Sequence, residues 1–449
     1  MSTQSAKAEA QAPDYLSGRG QAWFAFVMTI ALMIFDYVDR QIIVSLFPHL
    51  KAEWGLSDKE LGALVSVISL TIAAGVIPVA LIADRVSRVK SIVVMAVIWS
   101  LATISCVFTR SYPQLLTARA AVGLGEAGYG SVGAALIASH FPERLRGTIL
   151  AAFFASASVG SVLGVMLGGI ISARWGWQAA FGVVGIPGLL LAILYLAVRD
   201  YRTIAIRPRA ADAPSTPGGS TRRILHLLFR SPTMLMVCIG GAAELIVVSA
   251  VWSWLPSFLN RFHGLAPDQA GIKAAIVVLC GALGSVVWGA VVDRAGARGH
   301  VGGFSTLAVL CIAAFIVLTA AFGAPLLGVA ISAPAQFALI AIGGFLMTCT
   351  VGPVSAVVID VTHPGVRATG CSILALFQNL FGLAAGPFLA GILSDAFGLT
   401  AALTVMPIFA IVAAIAFLVA ARSYEGDKKR ASDETLKTAA SGTGHHALA

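Results

Sequence analysis

The chain alternates between long apolar runs and short polar breaks. About 20 consecutive, mostly apolar residues are enough to cross a bilayer as a helix. Twelve runs meet that length, over 22–46, 60–83, 90–109, 114–139, 147–172, 178–198, 233–258, 270–292, 301–322, 335–358, 369–393 and 400–421, numbered helix 1 to helix 12 in that order. The longest polar stretch separates the sixth run from the seventh. It holds Pro208, Pro214, Pro217 and the pair Gly218-Gly219, the composition of a linker. The pattern predicts a polar tail over 1–21, a six-helix unit over 22–198, a linker over 199–232, a second six-helix unit over 233–421 and a polar, mobile tail over 422–449. The first twenty residues lack an apolar core, so no cleaved signal peptide is expected.

Composition narrows the class. Apolar residues make up 58% of the chain and charged residues 11%, against about 25% charged in soluble domains. That is too little charge to cover several soluble domains, and it argues against disorder. The 46 glycines suit closely packed membrane helices. A net charge of +9 could suggest a nucleic-acid partner, but position gives it another meaning. With the N-terminus cytoplasmic, 22 of the 30 Lys and Arg lie on the cytoplasmic side and six on the other: Lys51, Lys59, Arg110, Arg174, Arg261 and Lys273. Arg40 and Arg119 lie within helices. This bias predicts both termini in the cytoplasm, in a bacterial-type inner or plasma membrane, and no nucleic-acid partner. All six cysteines fall in apolar runs without a metal-ligand spacing, so they read as small core residues. The histidines fall in loops, helix ends or the tail, and no phosphate-cradling glycine loop is present. Neither an enzyme, nor a metal or other cofactor, nor ATP drive is indicated, which leaves an ion gradient as the driving force.

The two units look like copies. Helix 2 ends in Ala80, Asp84, Arg85, Ser87 and Arg88, and helix 8 ends in Gly289, Asp293, Arg294, Gly296 and Arg298, 209 positions on. FPERLRGT at 141–148 precedes helix 5, and HPGVRATG at 363–370 precedes helix 11. Gly160, Gly164 and Gly168 in helix 5 have counterparts in Gly382, Gly386 and Gly391 of helix 11, two small-residue packing surfaces. Duplicated six-helix units with a central site are a transporter organisation.

These motifs resemble the major facilitator superfamily over nearly the whole chain. The loop after helix 8 matches that family's Gly-x-x-x-Asp-Arg-x-Gly-x-Arg pattern, whereas Ala80 and Ser87 replace both glycines in the loop after helix 2. A narrower resemblance lies in F35-D36-Y37-V38-D39-R40-Q41 and in R119-A-A-V-G-L-G-E126-A-G-Y129, which resemble helices 1 and 4 of the spinster-like lipid transporters; the first also resembles the organic anion:proton symporters. Those families usually carry Asn where Asp36 stands. The resemblance implies an all-α membrane protein of twelve transmembrane helices in two pseudo-symmetric six-helix bundles. It also implies that Asp39 and Glu126 take protons and that Arg40 and Arg119 pair charges or meet substrate. Asp84, Arg85, Arg88, Asp293, Arg294 and Arg298 would form a cytoplasmic gate.

Six ionisable residues fall inside the apolar runs: Asp36, Asp39, Arg40, Arg119, Glu126 and Glu244. Such residues are costly in a bilayer and normally face a bundle interior or an aqueous cavity. Asp36 and Arg40 share a helix face, as do Arg119 and Glu126. A carboxylate beside an Arg stays ionised; if the Arg is drawn to an anionic substrate, the carboxylate takes a proton. That would couple substrate to protons. The competing reading is a static bridge pinning helix 1 to helix 4. Asp36 is either Arg40's partner or a third titrating group, and Glu244 either faces the cavity or is a neutral, hydrogen-bonded core acid. Tyr129 and Asn379 are the polar neighbours expected near a central site. An apolar cavity with one small charged cluster suits an amphipath such as a lysolipid or sphingosine-1-phosphate-like molecule, with small organic anions such as sugar acids as the alternative. A transporter-like receptor or channel ranks below both. The expected protein is a monomer in contact with membrane lipids, protons and its substrate, moving the substrate by alternating access.

Overall fold

The computed structural model describes residues 18–85, 87–199, 231–362 and 367–443, and among these no strand occurs. Twelve helices are long and apolar enough to cross a membrane. Helices 1 to 3 span Arg19–Ile42, Asp58–Arg85 and Arg88–Cys106. Helix 4 runs over Tyr112–Glu126 and resumes over Tyr129–His140. Helices 5 and 6 span Glu143–Trp175 and Trp177–Leu194. Helices 7, 8 and 9 span Pro232–His263, Pro267–Gly296 and His300–Gly323. Helix 10 is again in two pieces, Ala333–Leu346 and Val351–Asp360. Helix 11 covers Arg367–Phe377 and Ala385–Phe397 around a π-helical stretch, Gln378–Leu383. Helix 12 comprises Leu399–Val405 and Ile408–Thr443. Most of the predicted linker, residues 200–230, lies outside the described residues, as do residues 363–366 of the motif before helix 11.

Local chemistry sets the ends of these helices. Ser57 and Glu60 form a capping box at helix 2: the Ser57 N–H donates to Glu60 Oε2 at 2.9 Å, and the Glu60 N–H to Ser57 Oγ at 3.2 Å. Ser87 caps helix 3 by accepting from the Lys90 N–H, and Ser231 caps helix 7 by accepting from the Met234 N–H. Left-handed glycines close two helices, Gly55 after the short helix Phe47–Trp54 and Gly264 after helix 7, both at φ 65°. They stand 209 positions apart, the spacing of the sequence repeat. The breaks in helices 4 and 10 occupy corresponding places too, so the duplication extends to irregular backbone.

Beyond Arg422 the chain differs from the mobile tail expected, because one face of helix 12 is held. Tyr424 stacks on His300 and donates its hydroxyl to Asp360 Oδ2 at 2.8 Å. Asp427 accepts from the Ser231 hydroxyl at 2.8 Å and the Thr233 N–H at 2.9 Å, and pairs with Arg430. The helix therefore continues across the start of helix 7, with Thr443 as its last residue.

Two buried apolar clusters show how the halves meet. One lies within the N-terminal half at the end carrying the chain termini, among Ala22, Leu32, Ile92, Trp99, Tyr129 and Phe153. The other starts in the N-terminal half at the opposite end, with Ile42, Phe47, Leu61, Val165 and Phe181, and runs without a break into the C-terminal half through Val247, Trp254, Val278 and Phe322. Close glycine contacts between halves fall at this same end, Gly62 on the Pro387 backbone and Gly169 on Pro267. The halves are closed together there.

Candidate transport site

Helix 1 carries Asp36, Asp39 and Arg40 into contact with helices 3 and 4. The Asp39 carboxylate is buried and takes the Thr103 hydroxyl at 2.5 Å on Oδ2 and Arg119 Nη1 at 3.1 Å on Oδ1. Arg119 Nη2 also donates to the backbone carbonyl of Asp39 at 3.2 Å, and its guanidinium lies 5.8 Å from the Phe181 ring centre. Arg119 is wholly buried. Ion pair and backbone bond together pin helix 4 to helix 1, with helix 3 supplying the hydroxyl.

One turn along helix 1, a second set forms around Arg40. Arg40 Nη2 donates to both Asp36 oxygens at 3.2 Å, and Arg40 Nε approaches Glu126 Oε2 to 2.9 Å. The Tyr37 ring lies beneath the guanidinium, 5.0 Å away. Helix 4 breaks immediately after Glu126, at Ala127 and the left-handed Gly128, and irregular backbone at membrane depth is tolerated where protein or a cavity surrounds it. Burial divides this set. Arg40 keeps 20% of its side chain accessible, against 2% for Asp36 and 0% for Glu126. Neither Glu126 oxygen receives a hydrogen bond, because the Arg40 N–H is near but poorly aimed. Three carboxyl groups thus face two guanidinium groups.

The structure brings Asp36, Asp39, Arg40, Arg119 and Glu126 together; Asp36 and Arg40 pair along their shared face, whereas Arg119 and Glu126 do not pair along theirs. Arg119 serves Asp39 rather than Glu126, and Glu126 meets Arg40. Tyr129 is buried, with its hydroxyl donated to the Thr29 carbonyl at 2.7 Å and its ring against Trp99, so it ties helix 4 to helices 1 and 3. Glu244 is wholly buried on helix 7, with neither oxygen well hydrogen-bonded. The Cys311 thiol of helix 9 is its polar neighbour. Asn379 donates to the Ala375 carbonyl at 2.9 Å within helix 11, where the π-helical stretch begins.

At the end carrying the termini, Asp293, Arg294 and Arg298 are exposed, and among the described residues no ion pair joins them to the N-terminal half. Arg88 reaches the Ala135 carbonyl within its own half, and the side chains of Asp84 and Arg85 lie outside the described residues. The opposite end holds a charged closure. Asp58, at the start of helix 2, takes Arg261 of helix 7 through Nη1 at 2.7 Å and Nη2 at 2.8 Å, Lys51 at 2.6 Å and the Ser394 hydroxyl at 2.5 Å. Asp395 of helix 11 accepts the Asp58 and Lys59 N–H groups, both at 2.8 Å. A carboxylate from one half thereby caps a helix of the other. Sequence reasoning missed these residues. The capping box at Ser57 marks a helix start, and Lys51 and Arg261 stand out as rare cations on their side, but nothing local pairs residues 203 positions apart.

The sequence matches the profile of the Major Facilitator Superfamily over residues 28–333 and again over 245–445. The chain belongs to the major facilitator superfamily. It is a transporter chain of that superfamily and an integral membrane protein, not an enzyme. The Drosophila melanogaster protein spinster is 24% identical over 398 residues, 86% of this chain and 64% of spinster. The gallate transporter of Pseudomonas putida is 26% identical over 439 residues, 90% of this chain and 94% of that protein. A solved bacterial homologue of the human lysosomal transporter spinster, inward-facing and unoccupied, shares the fold with a TM-score of 0.78 and 22% identity, over 91% of this chain and 99% of that one. The resemblance to the spinster-like branch holds, and an organic-anion transporter stands as near by identity.

Proposed function

We propose that this major facilitator chain is a proton-coupled secondary transporter of an anion, in which Arg40 is the switch between substrate and proton. One observation carries the reading: Asp36 and Glu126 converge on Arg40, and of these three Arg40 is the one that solvent reaches. An anion that arrives at the accessible side of Arg40 competes for the guanidinium. As Arg40 turns towards it, Glu126 loses the cation paired with it in a medium where an unpaired carboxylate is costly, and it takes a proton. Anion and proton then favour each other's binding, which is the sign needed for symport. Charge agrees with this, since three carboxyls and two guanidiniums become neutral with one proton. Asp36 shares Arg40 and is the second carboxyl of that exchange. Asp39 is a proton site released only when Arg119 moves, so it follows helix 4 rather than substrate. Tyr129 positions the break after Glu126, while Glu244 and Asn379 belong to the substrate or charge-pairing set of the C-terminal half.

The cycle is alternating access, with the present closure at the end opposite the termini opening as Asp84, Arg85, Arg88, Asp293, Arg294 and Arg298 come together at the other. The positive-residue bias supports cytoplasmic termini in an inner or plasma membrane, and a monomer suffices because the clusters are complete within one chain. For the substrate we favour an amphipathic lysolipid or sphingosine-1-phosphate-like anion, head at Arg40 and tail along the apolar wall. A small organic acid is the second reading, favoured by the likeness to the gallate transporter.

Proteoliposomes loaded with the protein and given a pH gradient test both parts. Labelled sphingosine-1-phosphate and labelled gallate are offered separately, to wild type and to Glu126→Gln. Gradient-driven accumulation should be at least tenfold lower in the variant while exchange between substrate pools persists. Unchanged accumulation in Glu126→Gln would sink the coupling assignment, and flux of gallate alone would select the second substrate reading.

A further inference from the structure

A cavity of about 310 Å³ opens beside the charged closure; Arg40 is not part of its lining, and its walls come from both halves. Lys51 and Asp58 belong to the N-terminal half, and Phe258, Arg261, Phe262 and Thr400 to the C-terminal half. Its charges do not balance. Asp58 is buried, and its carboxylate is saturated by Arg261, Lys51 and Ser394. Asp395, a second carboxylate, bonds the Asp58 and Lys59 N–H groups and does not line the cavity, whose charged lining is Lys51, Arg261 and Asp58. Two cations therefore share one carboxylate. Arg261 gives Asp58 two of its five N–H donors and Lys51 one of its three, so both keep donors in hand. Beside them, Phe258 and Phe262 stack with ring centres 5.3 Å apart and planes within 9°, a flat apolar surface. The Thr400 hydroxyl has no hydrogen-bond partner among the described residues and adds a polar group at the rim.

We propose that this cavity is a second anion site, which takes a small carboxylate carrying one flat apolar ring. The carboxylate meets Lys51 and Arg261, and the ring lies along Phe262. The volume sits at the low end of small-molecule pockets, about 300 Å³, which suits a single-ring acid. Because the walls come from both halves, the site exists only while this end is closed. A ligand bound there stabilises the closed arrangement by mass action. It is therefore a brake applied from the side of the membrane opposite the termini, separate from the substrate that Arg40 receives.

The test uses the full chain in neutral phosphatidylcholine nanodiscs, titrated calorimetrically with benzoate and, in parallel, with benzyl alcohol. Saturable benzoate binding is expected below about 10 mM. Benzyl alcohol should bind at least tenfold more weakly. Arg40→Gln should retain the benzoate signal. Lys51→Gln and Phe262→Ala should each weaken it at least tenfold; Phe262→Ala leaves the Asp58 ion pairs in place, so its loss reports the site rather than the closure. Binding that vanishes in Arg40→Gln and survives in Phe262→Ala would overturn the proposal, as would equal binding of benzyl alcohol or no binding by folded wild-type protein.

Discussion

Arg119 and Arg40 are both guanidinium groups in apolar helices, yet their surroundings give them opposite tasks. Arg119 is sealed, doubly bonded to Asp39 and covered by Phe181. Removing it strands a buried carboxylate, which costs about 3–5 kcal/mol. Arg119→Ala should therefore fall in thermal stability as well as in transport, and adding Asp39→Asn should recover much of the stability without recovering transport. Melting curves of the single and double variants check this; a stable Arg119→Ala would mean the pair is no pin. At this scale the sequence was informative because charge inside an apolar run is conspicuous. All five residues of the cluster could be picked out, together with Glu244, from their positions inside apolar runs. Their partners could not. Helical spacing places Asp36 beside Arg40, as observed, but which guanidinium meets Glu126 depends on how helices 1 and 4 rotate against each other.

At the scale of elements, apolar runs placed all twelve helices to within a few residues at most ends, since hydropathy and length are what the bilayer selects. Interruptions were less legible. The break after Glu126 has a signal in Gly128, whereas helix 10 breaks over Met347–Thr350 with no glycine or proline among those residues. The continuation of helix 12 past Arg422 was hidden because its polar sequence reads as tail, and it is held by long-range contacts of Ser423, Tyr424, Glu425 and Asp427. The glycines of helix 5 were legible as a packing surface, and their neighbour is helix 1. A methyl group added at Gly164 would sit 2.7 Å from the Val38 carbonyl oxygen and 2.9 Å from Gln41 Cβ. Gly164→Ala must push helix 5 away from the helix that carries Asp36, Asp39 and Arg40, at about 1–3 kcal/mol. Lower thermal stability and slower transport are expected together, and Gly147→Ala, which meets nothing within 4 Å, is the control.

At the scale of the whole molecule, the duplication was readable from repeated motifs, but the state of the two ends was not. The motifs drew attention to the end carrying the termini, while the halves actually meet at the other, around Asp58. Asp58→Asn keeps the size of the side chain and removes the charge that Arg261 and Lys51 share. This variant should shift the population towards opening at that end. Distance measurements between spin labels placed on helices 2 and 11 near Lys59 and Phe388 should show a broader, longer distribution than wild type. An unchanged distribution would mean that apolar contact alone holds the closure.

The apolar cluster that runs from Ile42 and Phe47 into Trp254 and Phe322 bears on temperature as well as on shape. Parting the halves there wets side chains now sealed from water, and exposing apolar surface raises heat capacity. The enthalpy of opening must then grow with temperature, so the balance between the two access states drifts as the membrane warms even if every ion pair at Asp58 stays equally strong. In such a molecule, sensitivity to heat is written into a greasy seam rather than into the charges that flank it.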